Sequence, residues 1–296
     1  MASAMVGGLL STGFPSSQIY ISEPWDQGRA RLAQQFPNVQ VTTSNSDAVE
    51  FAGHASHLPA SIVIFAVKPQ VLKSVANEIS CLVLQHSPLI ISIAAGIRAQ
   101  DLSLWLLQSN PSAASPAIVR VMPNTPALVN QGASGLFPNA SVSEIQKQIA
   151  FDILKSISKQ AYWVNSESMI DVVTGISGSG PAYFFLVVEC LTAAGVDAGM
   201  PYEIAKGLAS QTCLGAGKML VDTAEDPAEL RRKVTSPNGT TEAAIVSMEK
   251  NGIRELLKKG VKAAIDRSEE LGEILSKVCL PKIDFEVIRP RLPVFD

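Results

Sequence analysis

Between residues 18 and 166 short runs of strand character recur, and each is followed by a stretch with helical patterning. The runs are QIYIS at 18–22, VQVT at 39–42, SIVIFAV at 61–67, PLIISIA at 88–94 and AIVRV at 117–121. Helical stretches fall near 26–36, from 46, and near 71–79 and 100–107. The run at 61–67 is apolar throughout rather than alternating, the pattern of a strand covered on both faces. Strands alternating with helices predict a doubly wound parallel sheet of Rossmann type, an α/β fold.

After about residue 168 strand-like runs disappear. Ser179-Gly180-Pro181 opens a long apolar helix with proline in its first turn. Asp226-Pro227-Ala228-Glu229 reads as a second helix start, with an N-cap Asp and an acid three residues later. Asn251-Gly252 is a helix stop, and a further helix is expected from 253 to about 271. The helix from 181 to about 194 is apolar almost all round, so it is expected to be buried on every side. Ala205, Ala209, Cys213 and Ala216 recur about a turn apart on the next helix, a spacing that lets helices approach closely. Two such helices are expected to be shared by a dimer, with an ordinary bundle core as the alternative. The expected organisation is a dinucleotide-binding domain at 1–167, an all-helical substrate and dimerisation domain at 168–275, and a tail at 276–296 carrying Pro281, Pro290 and Pro293.

Composition narrows the function classes. A formal net charge of −3 with no basic block argues against nucleic-acid binding. The four cysteines, Cys81, Cys190, Cys213 and Cys279, form no C-x-x-C pair and read as buried thiols of a reducing compartment. His54 and His57 sit in a small-residue context without further ligands, so no metal site is expected. No apolar run approaches the roughly 18 residues of a membrane span, and the N-terminus lacks the basic region of a signal peptide. The expected location is the cytoplasm, with no membrane partner.

Four segments offer chemistry. The run at 61–67 ends in Lys68-Pro69, read as a cation and a helix stop at the edge where parallel sheets bind ligands. The run at 117–121 ends in Met122-Pro123-Asn124-Thr125-Pro126, a polar turn between prolines. Residues 175–181 read as a loop of small residues that either admits a flat ligand or lets two domains meet. Residues 234–242 combine a Pro-Asn-Gly turn with a helix start. Free N–H groups there, with the Ser236 and threonine hydroxyls, make a carboxylate site or a plain capped helix. Residues 2–10 read as the first helix of a Rossmann unit, with Gly7 and Gly8 at its packing face.

AVKPQ at 66–70, RVMPNTPA at 120–127, TGISGSGPAY at 174–183 and LRRKVTSPNGTTEAAI at 230–245 together resemble the pyrroline-5-carboxylate reductase family, in order and spacing, over nearly the whole chain to about Gly272. The resemblance implies a Rossmann domain joined to a helical dimerisation domain. It implies a homodimer, or a higher oligomer of dimers, with active sites near the dimer interface. The implied reaction is hydride transfer from NADPH or NADH to the C=N carbon of a small cyclic imino acid, 1-pyrroline-5-carboxylate, giving L-proline. Carried over, Ser236, Asn238, Gly239, Thr240 and Thr241 would bind the substrate, with the Thr241 hydroxyl as the catalytic group beside the ring nitrogen. Ala66, Val67, Lys68 and Pro69 would lie beside the cofactor. Asn124, Ser177, Gly178, Ser179, Gly180 and Pro181 would line its nicotinamide end, and Asn45 would lie near its adenosine half.

Two departures stand out. The family's first strand and its G-x-G-x-M turn would end where this sequence begins, so an N-terminally shortened form is expected. Glu23 follows the 18–22 run, and an acid there favours a ribose hydroxyl over a 2′-phosphate.

Overall fold

A computed structural model describes residues 1–51 and 58–277, so His54, His57, Cys279 and the tail from 278 lie outside the described residues. The chain opens with α1 (Ala2–Ser11), β1 (Tyr20–Ser22), α2 (Asp26–Gln35), β2 (Gln40–Thr42) and α3 (Asn45–Glu50). It continues with β3 (Ile62–Phe65), α4 (Pro69–Glu78), α5 (Ser80–His86), β4 (Leu89–Ser92), α6 (Ala99–Leu106) and β5 (Ile118–Met122). Then come β6 (Gly132–Pro138), α7 (Glu144–Lys155) and β7 (Ser158–Trp163).

β1 and β2 form a parallel pair of their own, and the other strands form a second sheet in the order β3-β4-β5-β6-β7. β3, β4 and β5 are parallel, β6 is antiparallel to β5, and β7 is parallel to β6. The doubly wound arrangement thus holds, with one antiparallel pair that the sequence reading did not foresee. β6 (GASGLFP) carries two glycines and β7 (SKQAYW) is half polar, so neither shows the apolar run that marks a central strand.

Period-two alternation explains why helices cover both faces. Ile90 and Ile118 point to one side and pack with Leu72, Leu102 and Leu106 of α4 and α6. Ile91, Val119 and Val121 point to the other and pack with Met5 of α1 and Leu154 of α7. Burying each such side chain stabilises the fold by about 1.5–3 kcal/mol. Gly8 lets α1 lie close against the turn before β7. A Cβ there would fall 2.4 Å from Ile157 Cγ2 and 2.7 Å from the Ser156 carbonyl oxygen. Gly7, also expected at a packing face, has only ordinary contact with Phe36 at 3.9 Å.

From Met169 onward the described chain is helical: α8 (Met169–Val173), α9 (Gly180–Asp197), α10 (Tyr202–Thr223), α11 (Pro227–Lys233), α12 (Thr240–Lys250) and α13 (Ile253–Lys277). α9 and α10 form a hairpin closed by Gly199, which has φ +91°. Ala205 sits 3.0 Å from the position a Gly195 Cβ would take, so part of the small-residue row seats α10 on α9 within one chain. The rest of the pair is not buried on every side as expected. Phe184, Phe185, Leu186, Leu208 and Leu214 are exposed in the single chain.

Two further readings are corrected. Cys81 and Cys190 are exposed and Cys213 half-buried, so the described thiols are not core residues, although all three are unpaired. The helix Met169–Asp197 is also long and apolar enough to cross a membrane, with a mean hydropathy of 1.4 in its most apolar window. Interspersed Gly, Ser and Thr conceal that length from a search for unbroken apolar runs.

α13 runs back toward the strand-bearing half. Its Ile265 packs against Gly175, and Gly272 lies so close to the Gly96 carbonyl oxygen that a Cβ would sit 2.8 Å away.

Candidate active site

Connections in α/β units are short, so α1 feeds β1 from its C-terminal end and places its own N-terminus at the C-terminal edge of the strands. No side chain caps its first turn, which leaves helix N–H donors at that edge. Two buried hydroxyls without a protein partner among the described residues, Ser22 and Ser92, are the last residues of β1 and β4. Buried polar groups are ordinarily satisfied, so orphaned hydroxyls at strand ends fit a polar ligand laid there. The residues present therefore fit a dinucleotide.

After β3 come Ala66 and Val67, then Lys68 as the N-cap of α4 and Pro69 in its first turn. The Lys68-Pro69 pair thus starts a helix rather than stopping one. Proline is tolerated there because the N–H it lacks would find no intrahelical acceptor. Lys68 is exposed. Asn45 opens α3, and its side-chain nitrogen donates to Glu78 Oε2 at 2.7 Å.

Asn124 is nearly buried and works as a bracket. Its Nδ2 donates to the Ser177 carbonyl at 3.1 Å, and its Oδ1 accepts from the Ala133 N–H at 2.9 Å. A register shift between Gly132 and Ala133 in the β6–β7 ladder coincides with that bond. One amide thereby ties the end of β5 to β6 and to the helix carrying Ser177.

Residues 174–178 are not the expected loop. Thr174–Gly178 is a π-helical turn inside one continuous helix, with Ser179 N–H reaching the Thr174 carbonyl at 2.8 Å. Pro181, with no N–H to give, and the two glycines weaken the regular ladder and favour the wider turn. The Tyr183 hydroxyl donates to the Gly175 carbonyl at 2.9 Å, and Ser177 Oγ donates to the Val173 carbonyl at 3.1 Å. Gly178 fits against Met122, where a Cβ would meet the sulfur at 3.2 Å. Gly180 faces open space.

The Pro-Asn-Gly turn is present as expected. Asn238 adopts φ +58°, and Gly239 N–H closes the turn onto the Ser236 carbonyl at 3.0 Å. Gly239 is the N-cap of α12 and offers no side chain, so the first N–H groups of the helix stay open. Among the described residues the hydroxyls of Ser236, Thr240 and Thr241 have no protein partner, while Asn238 N–H donates to Glu242 Oε2 at 2.7 Å. No described hydrogen bond joins this turn to Asn124 or to residues 177–181. One chain brings Asn124 and the Ser177 turn together and holds the Ser236–Thr241 turn on a separate helical arm.

Sequence reasoning missed an ionic cluster beneath the π-turn. Arg120 of β5, itself 2% exposed, pairs with Glu167 at 2.7 Å, and Glu167 also accepts from Ala99 N–H at 2.6 Å. Asp171, fully buried, pairs with Arg98 at 2.6 Å and accepts from the Ser268 hydroxyl at 2.7 Å. Burial pushes the Arg120 guanidinium below its usual range, opposed by Glu167. Burial, and next the Glu167 carboxylate, push the Asp101 carboxyl up. An arginine in the middle of AIVRVM was the available signal, since a charge inside a strand covered on both faces must be paired.

Comparison with known proteins agrees with this layout. A family model for the pyrroline-5-carboxylate reductase dimerisation region matches residues 167–271, and one for NADP oxidoreductases, coenzyme F420-dependent, matches 1–96. The pyrroline-5-carboxylate reductase of Pseudomonas aeruginosa is 45% identical over 277 residues, covering 94% of this chain and 95% of its own. The chain belongs to the pyrroline-5-carboxylate reductase family. The soybean (Glycine max) family member is 38% identical, with 92% of each chain covered. Among solved family members, the Coxiella burnetii enzyme superposes with a TM-score of 0.81 at 35% identity, over 91% of this chain and 94% of its own. The Plasmodium falciparum enzyme, solved with NADP bound, gives 0.75 at 29%, over 91% and 94%.

Proposed function

We propose that the chain reduces 1-pyrroline-5-carboxylate to L-proline, the last step of proline biosynthesis, using NADPH or NADH. The observation that carries the reading is the unengaged donor set at the start of α12, in a chain of this family whose strand ends fit a dinucleotide. The first N–H groups of α12 and the Ser236 hydroxyl hold the substrate carboxylate, aided by the positive end of the helix dipole. Asn238 and Gly239 give the turn its shape. The Thr241 hydroxyl lies beside the ring nitrogen, which gains a proton as the C=N bond is reduced. The bound dinucleotide supplies the hydride to the C=N carbon. Asn124 holds the Ser177 carbonyl and so fixes the wall from Ser177 to Pro181, while Ala66 to Pro69 and Asn45 flank the rest of the cofactor. Orientation of an already electrophilic carbon does most of the work.

Two copies complete the site. The exposed apolar side chains of α9 and α10 form the contact surface, and the partner's helical arm brings its turn to the nicotinamide side. This face meets protein rather than lipid, because the same continuous helix anchors Asp171 in the ionic cluster. The division falls at 1–167 and 168–275, and the location is the cytoplasm. A second reading, an impaired homologue that dimerises without turnover, draws on the separation of the β1–β2 pair from the main sheet.

Turnover separates them. The first reading expects a dimer by sedimentation and proline formation that falls about tenfold or more in kcat/KM for Thr241→Val and Ser236→Ala. A folded dimer with no turnover supports the second.

A further inference from the structure

We propose that Glu23 makes the adenosine end of this site select NADH over NADPH, an inference that rests on the reductase reading. Glu23 directly follows β1, and its N–H extends the ladder by donating to the Thr42 carbonyl at 2.9 Å. In a dinucleotide fold the adenosine ribose lies over this strand end, where an acid accepts from the ribose hydroxyls.

The carboxylate is held in place. Oε1 accepts from the Trp25 N–H at 3.1 Å, and a Cβ at Gly28 would fall 2.8 Å from Glu23 Cδ, so only glycine on α2 leaves the carboxylate its position. Oε2 accepts no described hydrogen bond from the protein and remains open to a hydroxyl donor.

The neighbouring cation is already committed. Arg29 donates to the carbonyls of Glu23 and Pro24, at 3.1 and 2.8 Å, and pairs with the Asp26 carboxylate. Arg31 is exposed two residues further along α2, where a side chain projects from a different face. Two carboxylates against one guanidinium leave the strand end with a net charge of −1. A phosphomonoester would add about −1.5 to −2 beside it. Repulsion between such charges a few ångströms apart at a partly exposed site corresponds to about 10- to 100-fold in affinity.

The test is isothermal titration of the full chain with NADH and NADPH, apart from any turnover. The expected result is tighter binding of NADH by about tenfold or more. Glu23→Gln, which keeps the shape and removes the charge, narrows the ratio, and Glu23→Ser with Asp26→Asn frees Arg29 and reverses it. Equal or tighter binding of NADPH by the parent, a ratio unmoved by Glu23→Gln, or no binding of either dinucleotide overturns the assignment. Failure of the reductase reading looks different: a selective NADH complex that does not turn over pyrroline-5-carboxylate.

Discussion

Replacing Asp171 by alanine tests whether the buried ionic cluster joins the two halves of the chain. Asp171 on α8 is fully buried, pairs with Arg98 ahead of α6 and accepts from Ser268 on α13, so one carboxylate ties its own helix to two other segments. Deleting one member of a buried pair costs about 3–5 kcal/mol, mostly because the remaining charge is stranded. The Arg98 side chain keeps 29% of its exposure and can recover some hydration, which moves the expectation to the low end. A cost of ~3 kcal/mol lowers Tm by about 6–12 °C in a chain of this size. The Lys218–Asp222 pair supplies the contrast, with side chains 70% and 53% exposed. Asp222→Ala should cost about 0.5 kcal/mol or less. Both variants are compared with the parent by thermal unfolding at one protein concentration, because any association between copies makes Tm concentration-dependent. Equal losses for Asp171→Ala and Asp222→Ala would refute the reasoning.

Gly8→Ala should destabilise by about 1–3 kcal/mol through collision with Ser156 and Ile157. Gly7→Ala, one residue away with room for a methyl group, should be neutral or stabilise α1 by up to about 1 kcal/mol; urea unfolding of both separates packing from propensity. Asp101 has a raised folded-state pKa, so the native state retains its proton longer and stability falls as pH rises from about 4. Asp101→Asn removes that dependence, and its stability relative to the parent should improve from acid to neutral pH; urea midpoints showing the opposite trend contradict the assignment.

The central strand β4 was legible because burial on both faces demands an unbroken apolar run, as in LIIS, and the equally apolar IVIF of β3 proved to be a partly buried edge strand. Helix ends were legible wherever Pro, Gly or Asp imposes local geometry, as at Asp226 and Gly252. β7 escaped because an edge strand accepts polar residues, and β6 because its two glycines break up the apolar run. The π-turn escaped because a Gly/Ser-rich segment reads as a loop, while contacts from α13, Met122, Asn124 and Tyr183 support it as helix. For the site, the Pro-Asn-Gly turn was visible as chemistry. The bracket formed by Asn124 was not, since its partners Ala133 and Ser177 are nine and 53 residues away.

The most direct measurement is dinucleotide oxidation by the purified protein with pyrroline-5-carboxylate, with L-proline quantified alongside. The account predicts substrate-dependent oxidation with one proline formed per dinucleotide consumed, slowed about tenfold or more in Thr241→Val. Folded, dimeric protein that oxidises neither NADH nor NADPH in the presence of the substrate would contradict it.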